Sequence, residues 1–148
     1  MAESLSIRIV RRADYKFEVD FGGAIAGLQA DLPAPLGEGD GPSPEHLLLS
    51  AVANCLSASL VFALRKFKQD AGDMTTTVSC IVDRNEQRRL RVVAINAEIN
   101  LGRPAEGLEH LDRVLAQFED FCTVSQSVQA GIPIRIGVID SLGNRLKG

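Results

Sequence analysis

Pro42 to Lys68 reads PSPEHLLLSAVANCLSASLVFALRKFK, and this stretch decides the fold. Ser43 is a good helix N-cap. Pro44 is a good first helical residue, because its fixed φ suits the first turn and its missing N–H is not needed there. Glu45 puts negative charge at the positive end of the helix dipole, and Arg65, Lys66 and Lys68 suit the negative end. With no glycine and no internal proline to interrupt it, the run predicts one helix from Ser43 to about Lys68. Leu47 to Leu64 carries no charge over eighteen residues, which is the length at which a membrane span must be weighed. Ser50, Asn54, Ser57 and Ser59 and four alanines dilute its apolarity. Amphipathic elements flank it on both sides, so the expectation is a buried helix and no membrane partner. The first four turns are apolar nearly all round and need cover on every side. A small single sheet covers one side only. The helix is therefore expected between sheets, or shared between two chains.

On the N-terminal side, Ser4 to Phe21 reads as two strands. Leu5, Ile7 and Ile9 alternate with polar residues, as do Tyr15, Phe17, Val19 and Phe21, with Arg11 to Asp14 as the turn. Ile25 to Asp31 is a weaker third strand. Leu32 to Ser43 is a Pro- and Gly-rich loop. Its GEGDG invites a phosphate-loop reading, but the lysine and hydroxyl that should follow are missing, and Glu38 and Asp40 repel phosphate. A mobile loop is the simpler expectation. On the C-terminal side, Met74 to Val82 and Leu90 to Leu101 read as strands joined by the charged turn Asp83 to Arg89. Pro104 opens a second helix whose Leu108, Leu111, Val114, Leu115 and Phe118 share one face. That helix breaks near Phe121 and Cys122. Thr123 and Gln126 then match a capping box for a short helix ending at Gly131. Ile132 to Ile139 is a last strand. The order of elements gives an α+β fold with mostly antiparallel pairing, in one domain spanning residues 1–148.

The chain has 148 residues, 45% hydrophobic and 24% charged, which is ordinary globular composition and excludes disorder, collagen and coiled-coil rods. Sixteen basic against nineteen acidic side chains leave a net charge of -3, so a nucleic-acid partner is not expected. One Tyr, six Phe and no Trp make a base-stacking surface a poor fit. Three cysteines do not make a disulfide framework, and MAESLSIRIV contains no apolar leader run. A reducing, cytoplasmic setting is the expectation.

Those cysteines carry the chemistry worth weighing. Cys55 lies mid-helix on a face with Leu48, Ala51, Val52, Ala58, Ser59 and Phe62. It reads either as a small buried hydrophobe with an inert thiol, or as a reactive thiol if a cation and a substrate route adjoin it. Cys122 stands beside a helix start, which draws a thiol toward thiolate. It reads equally as a core residue between two helices. Cys80, between Ser79 and Ile81 in a strand, has nothing to activate it and reads as structural. Cys55, Cys122, His46 and His110 contain no C-x-x-C or H-x-x-x-H pair, so neither a metal nor a cofactor is expected. No G-x-S-x-G elbow exists, and both histidines read as surface groups on helices. Glu45 by itself reads as a helix-dipole carboxylate.

PSPEHLLLSAVANC from Pro42 to Cys55, followed by FEDFCTVSQSVQAGIPI from Phe118 to Ile134, resembles the OsmC/Ohr family of osmotically inducible and organic hydroperoxide resistance proteins. The resemblance covers nearly the whole chain in element order. It implies an intertwined homodimer whose long central helices pack between sheets. It also implies a thiol peroxidase for organic hydroperoxides, recycled by a dithiol or protein reductant. Residue by residue, Cys55 matches the peroxide-attacking cysteine, Cys122 the resolving cysteine and Glu45 the glutamate of the P-E motif. The family's activating arginine comes from the N-terminal strands. Arg12 is closest by spacing, with Arg8 and Arg11 as alternatives. The second motif departs from the family in reading Cys-Thr-Val-Ser rather than Cys-Pro-Val-Ser. An apolar pocket lined from Leu48 to Phe62 would prefer alkyl hydroperoxides over hydrogen peroxide.

On a straight helix Glu45 and Cys55 stand ~15 Å apart. A site containing both is therefore expected across the dimer, with Glu45 of one chain orienting an Arg beside Cys55 of the other. Two rival readings remain in view. One is a non-catalytic member of the same fold that binds a small apolar ligand. The other is a thiol enzyme with Cys122 as nucleophile.

Overall fold

The alternating residues that follow the N-terminus fold as a three-stranded antiparallel sheet. In a computed structural model that describes residues 2–148, leaving Met1 outside, β1 (Arg8–Ala13), β2 (Lys16–Asp20) and β3 (Leu28–Ala30) lie in the order β1-β2-β3. They belong to the first of two compact units, Met1–Leu48; the second is Leu49–Gly148. Strand β1 runs on to Ala13, so the turn is tighter than the sequence predicts. It is made by Asp14 and Tyr15, with Asp14 at φ 43°, a left-handed conformation that aspartate tolerates. Arg11 stands opposite Phe17 and Ala13 opposite Lys16, so Arg12 is the extra residue of a β-bulge.

The loop after β3 is organised around a carboxylate. Asp31, buried, accepts the backbone N–H of Leu32 at 2.8 Å and those of Glu38 and Asp40 at 3.1 Å each. Lys16 ion-pairs with Glu38 at 2.9 Å and Asp40 at 2.7 Å. The amides that a phosphate would need are thus spent on an acid of the chain itself. Gly37 is required by close approach, since a Cβ there would collide with the Leu32 carbonyl and the Asp31 carboxylate.

Helix α1 (Pro44–Arg65) is continuous over 22 residues. Ser43 caps it as expected: its Oγ accepts the His46 N–H at 3.3 Å, and His46 Nδ1 accepts the Ser43 N–H at 3.1 Å. This is a capping box with histidine in the place of glutamate. The helix stops before Lys68. Lys68 adopts φ 57°, and the Gln69 N–H returns to the Leu64 carbonyl at 3.0 Å, a left-handed C-terminal cap made without glycine.

In the second unit, β4 (Thr75–Arg84) and β5 (Leu90–Asn100) form an antiparallel hairpin. β6 (Ile134–Ile139) pairs parallel to β5, and β7 (Arg145–Lys147) pairs antiparallel to β6. The parallel pair needs a crossover. It is supplied by α2 (Leu111–Gln117), a 3-10 turn at Phe118–Phe121, and α3 (Thr123–Gln129). Pro104 does not open the helix, contrary to expectation. Asp140 holds the preceding segment in turns by accepting the Ala105 N–H at 3.0 Å, and α2 begins only after His110 at φ 58°. β7 is the element the sequence reading lacks. Its RLK has too little alternation to be read.

The core of this unit shows both periodicities. Val52, Leu56, Leu60 and Leu64, four apart on α1, are each 0% exposed. Ile95, Ala97 and Ile99 are buried at every second position of β5, joined by Ile136, Val138, Val114, Leu115 and Phe118. The other side of α1 is not covered within one chain: Ala51, Ala58 and Phe62 are exposed. By length and composition α1 could also cross a membrane.

Leu60→Ala should destabilise the protein by about 2–5 kcal/mol, the range for truncating a fully buried leucine. The midpoint of urea unfolding checks this; a change within error would place Leu60 outside the cooperative core. A second expectation concerns pH. The Asp140 carboxyl is held below the usual range by the Ala105 N–H, then, against an opposing effect of burial, by Asn144 and Leu142. A depressed carboxylate stabilises the fold above its unfolded pKa and loses that contribution as pH falls through the folded one. Asp140→Asn should therefore be less stable than wild type at pH 7, with the gap closing below about pH 4. A gap constant from pH 7 to pH 3 in thermal melts would contradict it.

Candidate thiol site

Two elements of the second unit bring two cysteines together. Cys55 lies midway along α1 and is half-buried; Cys122 is the N-cap of α3 and is 0% exposed. The Cys122 backbone is extended, at φ -87° and ψ 95°, as an N-cap requires. Its Sγ accepts the Ser125 N–H at 3.4 Å, and its own N–H donates to the Glu119 carbonyl at 3.0 Å. The thiol thus does the capping that the sequence assigns to Thr123, which is instead the first residue of the helix. Ser125 is fully buried beneath it and was not singled out from sequence.

Cys55 lies beside Cys122, close enough to act on its thiol. The Val124 N–H, in the first turn of α3, donates to Cys55 Sγ at 3.5 Å. Burial pushes the Cys122 thiol up, and the adjacent Cys55 raises it further, against smaller opposing contributions from Ser125. This corrects the expectation that the helix start would make Cys122 the more acidic thiol. A fully buried sulfur loses more from leaving water than one short helix returns. Burial therefore favours the protonated form of Cys122.

Cys55 opens on a groove of about 410 Å3 lined by Ala58, Ser59, Phe62 and Phe121. Leu48, Ala51 and Val52 do not line it, though the helical wheel grouped them with Cys55; Val52 faces the core instead. Phe62 and Phe121 meet edge to face, with centroids 5.9 Å apart, and Lys66 Nζ lies 5.0 Å and 4.3 Å from their centroids. Phe121 comes to the groove from the 3-10 turn just before Cys122. Wheel geometry could not reveal it, because it belongs to another element.

Cys80 stands in β4 opposite Ile95 and is a free thiol like the other two. Glu45 and Arg12 belong to the first unit. Glu45 is exposed in the first turn of α1. Arg12, at the bulge, ion-pairs with Glu18 at 3.5 Å; Arg8 pairs with Asp20 at 3.7 Å, and Arg11 donates to the Asp14 carbonyl at 2.8 Å. His46 caps α1, and His110 stacks on Phe67 with centroids 4.6 Å apart. Among the described residues no group of three His, Cys, Asp or Glu side chains is placed to hold a metal ion.

The comparisons with known proteins agree on the fold. Several solved structures share the fold. An OsmC-like protein from Mycoplasma pneumoniae has a TM-score of 0.76 at 15% identity, covering 95% of this chain and 99% of its own. An organic hydroperoxide resistance protein OsmC from Legionella pneumophila has a TM-score of 0.71 at 15% identity, covering 93% and 98%. An organic hydroperoxide resistance protein from Elizabethkingia anophelis has 0.71 at 17%, covering 95% and 100%. At these identities the likeness shows the α+β fold, helices with two sheets, rather than the chemistry. No curated protein matches in sequence. Residues 37–137, which contain both cysteine motifs, match the family described as OsmC-like protein, and the chain belongs to that family.

Proposed function

We propose that this protein is a thiol peroxidase that reduces organic hydroperoxides in a redox stress response. The observation that carries the reading is the pair of neighbouring thiols, one fully buried and one opening on an apolar groove. The names of the Legionella and Elizabethkingia proteins support the substrate class.

Cys55, as thiolate, attacks the terminal oxygen of ROOH; the O–O bond breaks, and the alkoxide leaves as ROH after taking a proton. Cys55 is then a sulfenic acid. Cys122 S–H attacks that sulfur, forming the disulfide, and its proton leaves with the hydroxide as water. A small dithiol or protein reductant restores both thiols by exchange. The Val124 N–H supports negative charge at Cys55 Sγ, and the groove receives the alkyl portion of the substrate. Arg12 is the arginine best suited to join this site, because a bulge re-aims the side chain it carries. Its guanidinium stays charged and would stabilise the leaving oxygen. The open apolar side of α1 supports an intertwined homodimer, in which Glu45 of one chain orients Arg12 beside Cys55 of the other. A cytoplasmic location fits three unpaired cysteines.

Peroxide treatment should link Cys55 to Cys122 and leave Cys80 free, as read by peptide mapping. Cys55→Ser should abolish turnover of an organic hydroperoxide with a dithiol. Cys122→Ser should still allow one attack and then accumulate Cys55 sulfenic or sulfinic acid. A bridge through Cys80, or Cys55 untouched by peroxide, would overturn the reading and leave a non-catalytic ligand-binding role.

The dimer should be present at micromolar concentration by light scattering. Coexpressed Glu45→Ala and Cys55→Ser chains should give mixed dimers more active than either parent, because both lesions then fall in one site. Mixed dimers as inactive as the parents would argue for a site within one chain.

A further inference from the structure

The final strand of the second unit reaches the segment that carries Cys122. Lys147, in β7, directs one ammonium at three groups. It donates to the Leu115 carbonyl in the last turn of α2 at 2.6 Å, ion-pairs with Glu119, and lies 5.6 Å from the Phe118 centroid. The Leu115 carbonyl is one of those a helix end leaves without an intrahelical partner, and a cation there also opposes the helix dipole. The side chains are only 28% and 23% exposed, so solvent screens the pair less than an ordinary surface pair. Glu119 is in turn bound to the cysteine: its carbonyl accepts the Cys122 N–H at 3.0 Å and the Gln126 side-chain amide at 3.2 Å. An unbroken line of contacts therefore runs from Lys147 through Glu119 to Cys122.

We infer that Lys147 is a positioning residue for the resolving step, holding Cys122 at the distance from which it captures the Cys55 sulfenic acid before a second peroxide does. The inference rests on the peroxidase reading above. Two fates compete for Cys55–SOH. In one, Cys122–SH displaces hydroxide from the sulfur, a disulfide forms and water leaves. In the other, a second ROOH transfers oxygen to give the sulfinic acid and ROH. The first is intramolecular, and its rate depends on how closely Cys122 is held. A disulfide demands an S–S distance near 2.05 Å and a narrow dihedral range, so small displacements are costly. Lys147 touches neither the substrate groove nor Cys55, so the first attack does not depend on it.

The test uses the full-length chain and tert-butyl hydroperoxide. The rate of Cys55 thiol loss is measured in single turnover, and the products are divided by mass spectrometry into disulfide and sulfinic acid as peroxide is raised. Lys147→Met should leave the rate of thiol loss unchanged and lower by about tenfold the peroxide concentration at which half of Cys55 becomes sulfinic acid. Lys147→Arg should restore the wild-type partition. Glu119→Gln tests the same link from the other side should Lys147→Met fail to fold, and should shift the partition in the same direction. A partition unchanged in folded Lys147→Met or Glu119→Gln would overturn the inference. So would an equal slowing of thiol loss, which marks general disruption. Absence of any Cys55–Cys122 disulfide in the wild type would instead sink the peroxidase reading, so the two failures are distinguishable.

Discussion

One helix carries more apolar surface than its own chain covers, and the second unit is arranged around the part that is covered. The fully buried row Val52, Leu56, Leu60 and Leu64 is complemented by alternate residues of β5 and β6 and by the crossover segment, all buried to a few per cent exposure or less. Each fully buried leucine contributes about 1.5–3 kcal/mol by leaving water. That gain fixes the register of α1 in its unit, and Cys55 cannot be moved relative to the core without rotating the whole row. The Ser57–Thr76 hydroxyl bond, 2.6 Å between α1 and β4, adds a polar reference point on the same helix.

Fixing α1 places only one sulfur. The other is placed by the parallel pairing of β5 and β6, which forces the chain across the sheet before it can return. Its crossover is broken by a 3-10 turn instead of running as one helix. The break is what gives α3 a separate N-terminus, with Cys122 as its cap. A cap residue must be extended and must offer an acceptor to the first turn. Sulfur is a weak acceptor, yet here it serves, because Cys122 is fully buried and the Ser125 N–H has no water to turn to.

Much of this was legible in the sequence for definite physical reasons. Ser43-Pro44-Glu45 announces a helix start by chemistry that is local, and the structure keeps it, with His46 completing the box. The β4–β5 hairpin and the apolar faces of α1 and β5 follow from periodicity, which burial enforces. What was not legible depends on partners distant in sequence. Asp140 keeps Pro104 out of a helix from 35 residues away through the Ala105 N–H. Phe121 joins the Cys55 groove from another element. The acidity of Cys122 turned on complete burial, which outweighs the helix-start effect that the sequence reading could see. Arg12 as a bulge residue was also invisible, since its bulge is a property of the β1–β2 register.

On the proposed chemistry, the unequal environments of the two sulfurs divide their roles. A thiolate attacks peroxide and a neutral thiol does not, so the buried Cys122 is kept from competing for substrate. Its retained proton is also useful at the next step. Hydroxide is a poor leaving group from a sulfenic acid, and the Cys122 thiol carries the proton that turns it into water. The proton held by Cys122 thus has a use at the resolving step, provided that the proton passes to the leaving hydroxide as the sulfur attacks. Were Cys122 more exposed and more acidic, it would meet peroxide itself and arrive without the proton. Burial sets the protonation of this sulfur, and the contacts through Glu119 set its position; the resolving step needs both.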